Sequence, residues 1–402
     1  MPADGEVLFL CHRIPYPPNK GDKIRSYHWL KALASRYVVH LGAFIDDPAD
    51  REHVPAVQRL CATSCLLDLN PLHARVRSSL ALMTGGPLTV RYFASRALQR
   101  WVDELLRGGK VTRIVVYSSG VAPYAAGREA DRIRRILDLC DVDSAKWRQY
   151  GASGVGPISW VYSREARTLA QCETRWSDEF DVTIVSSESE RLMLEESVGR
   201  SVPRAEVLGN GVDTEYFDPA VPHPRPYPDD VQTIVFTGAM DYLANVDAVE
   251  WFAGEVWPTL NAQHPTARFV IVGSNPHPRV RALSERSGII VTGTVPDVRP
   301  YLAHACCAVV PLRIARGVQN KVLEALAMDL PVVALRPAMQ GISGGLAVPG
   351  SVVADDAAGL GALVAARLAP YGSLTGGRGF VERHFAWSAV LERFLTTVEG
   401  AP

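Results

Sequence analysis

No uninterrupted apolar run in the chain reaches the roughly 18 to 20 residues that span a bilayer, so contact with a membrane, if made, is peripheral. A surplus of one charge is missing as well. The 42 basic residues are balanced by 43 acidic ones for a net charge of −1, which argues against the broad basic footprint of a nucleic-acid binder. No nucleic-acid partner is expected, and only local basic patches are left for an anionic substrate or a lipid surface. The first apolar run, Glu6-Val7-Leu8-Phe9-Leu10-Cys11-His12, has no basic region ahead of it and passes straight into Arg13 and prolines. It reads as a first strand rather than a signal peptide. Cysteines are few, odd in number and scattered: Cys11, Cys61, Cys65, Cys140, Cys172, Cys306 and Cys307. That usage suits a reducing cytoplasm and excludes a disulfide framework. Cys61 and Cys65 have no second Cys or His pair near in sequence, so they read as ordinary thiols rather than metal ligands.

Several motifs are absent too. There is no Gly-x-Gly-x-x-Gly series and no Gly-Lys-Ser/Thr phosphate loop, which counts against a dehydrogenase or an ATPase. No nucleophile elbow, zinc-ligand cluster, internal repeat or low-complexity tract stands out.

What is present is a chain of 402 residues, 47% hydrophobic and 21% charged, too long for one hydrophobic core. It reads as a soluble, globular, enzyme-like protein of two domains. Short runs of Val, Ile and Leu recur at 7–11, 38–43, 64–69, 113–117, 136–139 and 182–186, with helical patterns between them. Continuous apolar strands are what a parallel sheet covered on both faces produces. The segment 159–180 reads as a long amphipathic helix with Glu165 and Glu173 on its solvated face. Residues 209–230 carry too many prolines and turn formers for regular structure and read as a linker. The pattern then restarts with strands at 233–238, 268–273, 289–293, 308–311 and 332–335, and helices at 246–257, 279–287 and 319–328. The expected class is α/β: two doubly wound Rossmann-like domains, 1–208 and 231–379, with ligands held beyond the carboxyl ends of strands in the cleft between them.

The loops carry the chemistry. Pro311-Leu312-Arg313-Ile314-Ala315-Arg316-Gly317-Val318-Gln319-Asn320-Lys321 follows an apolar strand and opens a helix that bears Glu324. Amide N–H groups at the helix start, with Arg313, Arg316 and Lys321 nearby, suit a diphosphate, and Glu324 can accept hydrogen bonds from sugar or ribose hydroxyls. A second anion seat is expected where Asn19, Lys20 and Gly21 lead into a helix beside Lys23 and Arg25. Asp141 and Asp143 end another strand, in Asp138-Leu139-Cys140-Asp141-Val142-Asp143-Ser144-Ala145-Lys146-Trp147. There Asp143 can cap the following helix, one of the pair can act as an acceptor or base in the cleft, or the two can form an Asp-x-Asp metal seat. His12 reads as a satisfied strand-end histidine. Gly238, Gly273 and the Thr292-Gly293-Thr294-Val295 turn end three successive strands of the second domain and would let a flat base lie against backbone.

Asn210-Gly211-Val212-Asp213, Phe236-Thr237-Gly238-Ala239-Met240-Asp241-Tyr242, Ile271-Val272-Gly273, Thr292 to Val295, Pro311-Leu312-Arg313, Gly317 to Ala325 and Pro331-Val332-Val333 occur in an order that resembles the GT4 family of retaining glycosyltransferases. With Asn19 to Lys23 and Asp141 to Trp147 the likeness covers almost the whole chain, and it is nearest to bacterial sugar transferases of exopolysaccharide and exosortase systems. The resemblance implies a GT-B fold, with the last helix, 380–402, crossing back to the first, acceptor-binding domain. It implies a nucleotide-sugar donor, bound in the second domain by Gly238, Gly273, Thr294, Val295, Arg313, Arg316, Gly317, Gln319, Asn320, Lys321 and Glu324. Glu324 matches the second acid of the family's Glu-x7-Glu motif and should hold the ribose. Arg316 stands eight residues before Glu324, where the absent first acid would be, and Ala239 and Ala244-Asn245 fall where many members carry Arg and Lys. Arg313 and Lys321 are then the residues left to neutralise the diphosphate, no cofactor or metal is required, and Asp143 or Asp141 is the cleft residue near the sugar. The resemblance also implies a glycan or lipid-linked glycan acceptor and a cytoplasmic location, with room for contact at the inner membrane face. A sugar-nucleotide 2-epimerase of the same fold and a non-catalytic binding module are the alternatives.

Overall fold

The computed structural model describes residues 5–18, 21–127, 133–153, 156–228, 230–315, 317–368 and 374–400. The chain divides into two compact units, Met1–Gly209 with Leu391–Pro402, and Asn210–Val390.

In the first unit β1 (Glu6–Cys11), β2 (Val38–Ile45), β3 (Thr63–Asp68), β4 (Val111–Tyr117), β5 (Arg134–Cys140), β6 (Val182–Val185) and β7 (Ala205–Val207) form a seven-stranded sheet in the order β3-β2-β1-β4-β5-β6-β7. Neighbouring strands run parallel. The second unit repeats the plan with β8 (Thr233–Thr237), β9 (Arg268–Val272), β10 (Ile289–Gly293), β11 (Cys307–Val310), β12 (Val332–Leu335) and β13 (Ser351–Ala354), a six-stranded sheet in the order β10-β9-β8-β11-β12-β13. Its strands are parallel too. Central strands such as Val7 to Cys11 and Val332 to Ala334 are fully buried, which is why their sequences are unbroken apolar runs. In each sheet the winding reverses beside the first strand, between β1 and β4 and between β8 and β11, and that reversal opens a crevice at the carboxyl ends of the strands.

β7 and β13 are additions to the sequence-based strand set; each is a short strand at the end of its sheet. The helix expected at 246–257 runs instead as Leu243–Trp251, a π turn Phe252–Val256 and a second helix Trp257–Gln263. Pro258 lacks an N–H and sits at the first turn of that second helix, where the loss is tolerated. The stretch read as a linker is part of the second unit's body. Val212, Phe217 and Tyr227 are in its core, and Arg378 donates to the carbonyls of Thr214, Phe217 and Ala327.

Glu165 overturns the expectation of a solvated helix face. It lies buried on the helix Pro157–Glu179, and its carboxylate accepts from the amides of Leu88 and Thr89 at 2.6 and 2.8 Å, capping the short helix Leu88–Tyr92. In the first unit's closing segment, Phe394 stacks on Trp29 with ring centroids 4.0 Å apart.

Candidate functional site

The carboxyl ends of β8, β9 and β10 line an open cavity of about 560 Å³ in the second unit. Thr237 and Gly238 close β8, Gly273 and Ser274 follow β9, Thr294 and Val295 follow β10, and Asn320, Lys321 and Glu324 come from the helix Asn320–Ala327. Two glycines are there by necessity. A Cβ on Gly273 would lie 1.6 Å from the Gly238 carbonyl oxygen. Gly238 has φ +153°, and a Cβ there would meet the Asn245 amide nitrogen at 2.7 Å and the Lys321 ammonium at 3.0 Å.

Lys321 Nζ donates to Asn245 Oδ1 at 2.5 Å and sits 4.2 Å from the centroid of the Phe236 ring. Asn245 Nδ2 in turn donates to the Ala239 carbonyl at 2.9 Å, so the ammonium is aimed by a fixed amide. Burial pulls the Lys321 pKa down, against the opposing pull of Glu324, and pushes that of Glu324 up, against the opposing pull of Lys321. An anion beside Lys321 would oppose the first shift, and hydroxyl donors to Glu324 the second. Asn320 adds a buried amide oxygen with no hydrogen-bond partner. A hydroxyl or N–H of a ligand would satisfy it.

The structure thus brings together Gly238, Gly273, Thr294, Val295, Asn320, Lys321 and Glu324 from the sequence-based set. Arg313 is not among the lining residues: it makes a two-pronged ion pair with Asp247 and lies over the Trp251 ring. Gly317, at φ +57°, serves the turn before the helix, and the Gln319 carbonyl accepts the Val322 amide at 3.0 Å; neither lines the cavity. Arg316 lies outside the described residues. Sequence reasoning missed Asn245, which stood out only as a departure from the expected lysine, and Tyr216, which was assigned to the linker. Tyr216 lines the cavity with the Arg299 guanidinium 3.8 Å from its ring centroid and its hydroxyl donating to Asp297 at 3.2 Å.

In the first unit the acidic strand end behaves differently from the cap reading. Asp143 begins the helix Asp143–Ser153 and accepts Ser119 Oγ at 2.5 Å. The helix start is capped instead by Glu173, which takes the Ser144 amide at 3.2 Å and the Ser144 hydroxyl, while Glu190 takes the Val142 amide at 2.7 Å. Glu173 was expected on a solvated face and is fully buried; burial pushes its pKa up to about 8, with Asp143 and Glu190 adding to the rise. Asp141 accepts Ser186 Oγ at 3.1 Å, and burial raises its pKa as well. Among the described residues no group of three His, Cys, Asp or Glu side chains is disposed to hold a metal ion.

Two cations expected beside the anion seat before the first helix are engaged elsewhere. Gly21 opens the helix Gly21–Arg36 and is exposed, but Lys23 is buried in an ion pair with Asp50 at 2.6 Å and Arg25 in one with Asp138 at 2.8 Å. These cations hold the fold together and do not face solvent; Asn19 and Lys20 lie outside the described residues. His12 is only half satisfied: Nε2 is 3.4 Å from Asp22, and Nδ1 is buried with no partner.

Residues 231–368 match the family model described as glycosyl transferases group 1. No curated protein matches the chain. Among solved structures, a glycosyltransferase from Rickettsia africae superposes with a TM-score of 0.63 at 12% identity over 98% of both chains. Sucrose-phosphate synthase from Thermosynechococcus elongatus gives 0.62 at 18% identity, again over 98% of both chains. Anabaena HepE, solved in complex with UDP and glucose, gives 0.62 at 13% identity over 98% of this chain and 99% of its own. Such likenesses show the fold, which is the two-sheet α/β architecture of GT-B glycosyltransferases. The family match itself lies within the second unit, Asn210–Val390.

Proposed function

We propose that the chain transfers a sugar, with retention of anomeric configuration, from a nucleotide-sugar donor to a glycan or lipid-linked glycan acceptor, as a GT4-type cytoplasmic enzyme of bacterial exopolysaccharide assembly. The observation that carries this reading is the recess in which Lys321, aimed by Asn245, stands beside Glu324 and the unpartnered Asn320 amide. A diphosphate at the start of the helix Asn320–Ala327 meets the ammonium and the first amide N–H groups together. Glu324, one turn further along, is then in place for the ribose hydroxyls, and the glycine-lined ends of β8 and β9 leave room for close approach of the nucleoside.

The chemistry follows from the leaving group. As the bond between the anomeric carbon and the β-phosphate oxygen breaks, its electron pair stays on the phosphate and negative charge grows there. Lys321 and the helix amides stabilise that charge more in the transition state than in the ground state, which is what lowers the barrier. No metal is assigned, because the ammonium and the amides supply the positive potential. The acceptor hydroxyl attacks the same face of the sugar, and Asp143 is assigned to that hydroxyl; Asp141, engaged by Ser186, is held as its neighbour.

Because HepE was solved with UDP and glucose, UDP-sugars are the first donors to test. Nucleoside diphosphate release that depends on an added glycan acceptor, persists in a chelator and is lost in Lys321→Met supports the reading. Conversion of the donor to its C2 epimer without any acceptor, seen by NMR, would replace it with an epimerase.

A further inference from the structure

The segment built from the helices Pro71–Ser79 and Ala81–Thr84 packs with its amphipathicity inverted. The residues it buries against the first unit are small: Ala74, Ser78 and Ala81. The large apolar ones, Leu72, Val76, Leu80 and Met83, face solvent, Val76 at 72% and Met83 at 87% exposure. With 3.6 residues per turn these four fall within about 80° of the helix circumference, opposite the buried three. The segment is anchored firmly. Arg164 donates to the carbonyls of Ala81 at 2.6 Å and Gly86 at 3.2 Å, next to the Glu165 cap on Leu88 and Thr89. Those bonds set the first turns of the helix Pro157–Glu179 beside it, and there Ile158 and Trp160 are exposed as well.

Charge gives the apolar face its partner. From Leu69 to Val102 the sequence holds five arginines and no Asp or Glu. Arg75, Arg77 and Arg91 are exposed around the apolar stripe. Large aliphatic and aromatic side chains on one face, in a stretch of sequence that carries arginines and no carboxylate, match a surface of anionic headgroups over acyl chains. A second copy of the chain fits poorly, since a symmetric contact would set arginines against arginines. We propose that this face docks on an anionic lipid bilayer, with Val76, Leu80 and Met83 seated at the headgroup boundary and Arg75, Arg77 and Arg91 against lipid phosphates. Docking is peripheral, for no helix among the described residues is long and apolar enough to cross a membrane. The surface lies outside the donor pocket and stands whether or not the transfer reading holds.

The test is sedimentation of the full chain with vesicles of phosphatidylcholine alone or mixed with phosphatidylglycerol, for the wild type, Val76→Glu/Met83→Glu and Arg75→Ala/Arg91→Ala. The wild type is expected to bind the mixed vesicles, less at high salt, and to leave pure phosphatidylcholine in the supernatant. Arg75→Ala/Arg91→Ala should bind at least about tenfold more weakly, as two lost cations near a membrane surface imply, and Val76→Glu/Met83→Glu should bind no better, since it sets two carboxylates against anionic headgroups; melting temperatures should be unchanged because the altered side chains are exposed. Failure of the wild type to bind, undiminished binding by either variant, or equal binding to uncharged vesicles would overturn the proposal. So would a dimer on size exclusion that Val76→Glu/Met83→Glu dissolves, which would make the face a contact between copies.

Discussion

Asp138→Ala strikes the central ion pair of the first unit. Its carboxylate accepts Arg25 Nε at 2.8 Å, Trp29 Nε1 at 2.7 Å and the Cys140 amide at 2.9 Å, and the side chains of Arg25 and Asp138 are both 0% exposed. Without the carboxylate, a buried guanidinium keeps the Leu208 carbonyl at 2.8 Å and the face of Trp29 but loses the charge that offsets it. Leaving a buried charge short of its counter-charge costs about 3 to 5 kcal/mol, and the lost Trp29 and Cys140 bonds add about 1 kcal/mol each. Set against a typical stability of about 5 to 15 kcal/mol, the sum removes roughly a third of it or more. Arg25→Met/Asp138→Leu should recover most of the loss, because an apolar pair of similar bulk carries no desolvation cost. Urea unfolding followed by circular dichroism and tryptophan fluorescence measures both variants. A loss below about 1 kcal/mol in Asp138→Ala, or a double variant no better than the single one, would refute the reasoning.

Glu173 makes stability depend on pH. Its folded value is raised to about 8 from an ordinary 4.5, so between those values the folded chain keeps a proton that the unfolded chain releases. Its contribution is therefore full below 4.5 and falls as pH rises toward 8, by up to about 1.4 kcal/mol per unit. Glu173→Gln should flatten the plot of urea midpoint against pH; an unchanged slope would contradict the assignment. Gly273→Ala must push the β8 and β9 ends apart, since its Cβ would lie 1.6 Å from the Gly238 oxygen. Loss of thermal stabilisation by nucleotide is expected, and full retention would show that the close approach is unimportant. Asn245→Ala frees Lys321 from its fixed amide and should weaken donor binding about tenfold, on the scale of one hydrogen bond to a charged group, with calorimetry as the readout; an unchanged affinity would sink the positioning role.

The sheet pattern was legible because parallel strands buried on both faces leave continuous apolar runs, as at Val7 to Cys11 and Val332 to Leu335. β7 escaped because Ala205-Glu206-Val207 is a short edge strand that is not buried and leaves no such run. Lys321 and Glu324 were readable from a strand, turn and helix with charges at fixed offsets. Asn245 and Tyr216 were not, since their place at the cavity depends on packing across the unit. Glu165, Glu173 and Arg25 were misread for one common reason. Helical periodicity separates polar from apolar faces, but it cannot see that another helix's N-terminus, or Asp138, lies buried opposite a charge.

Titration of UDP-, GDP- and ADP-sugars into the wild type, Lys321→Met and Glu324→Gln, with binding and acceptor-dependent nucleotide release read on the same samples, bears most directly on the recess of the second unit. One nucleotide sugar should stabilise the wild type and be consumed only when a glycan acceptor is present, and both variants should lose affinity and transfer while melting near the wild-type temperature. Variants that bind and turn over the donor as the wild type does would place the donor elsewhere.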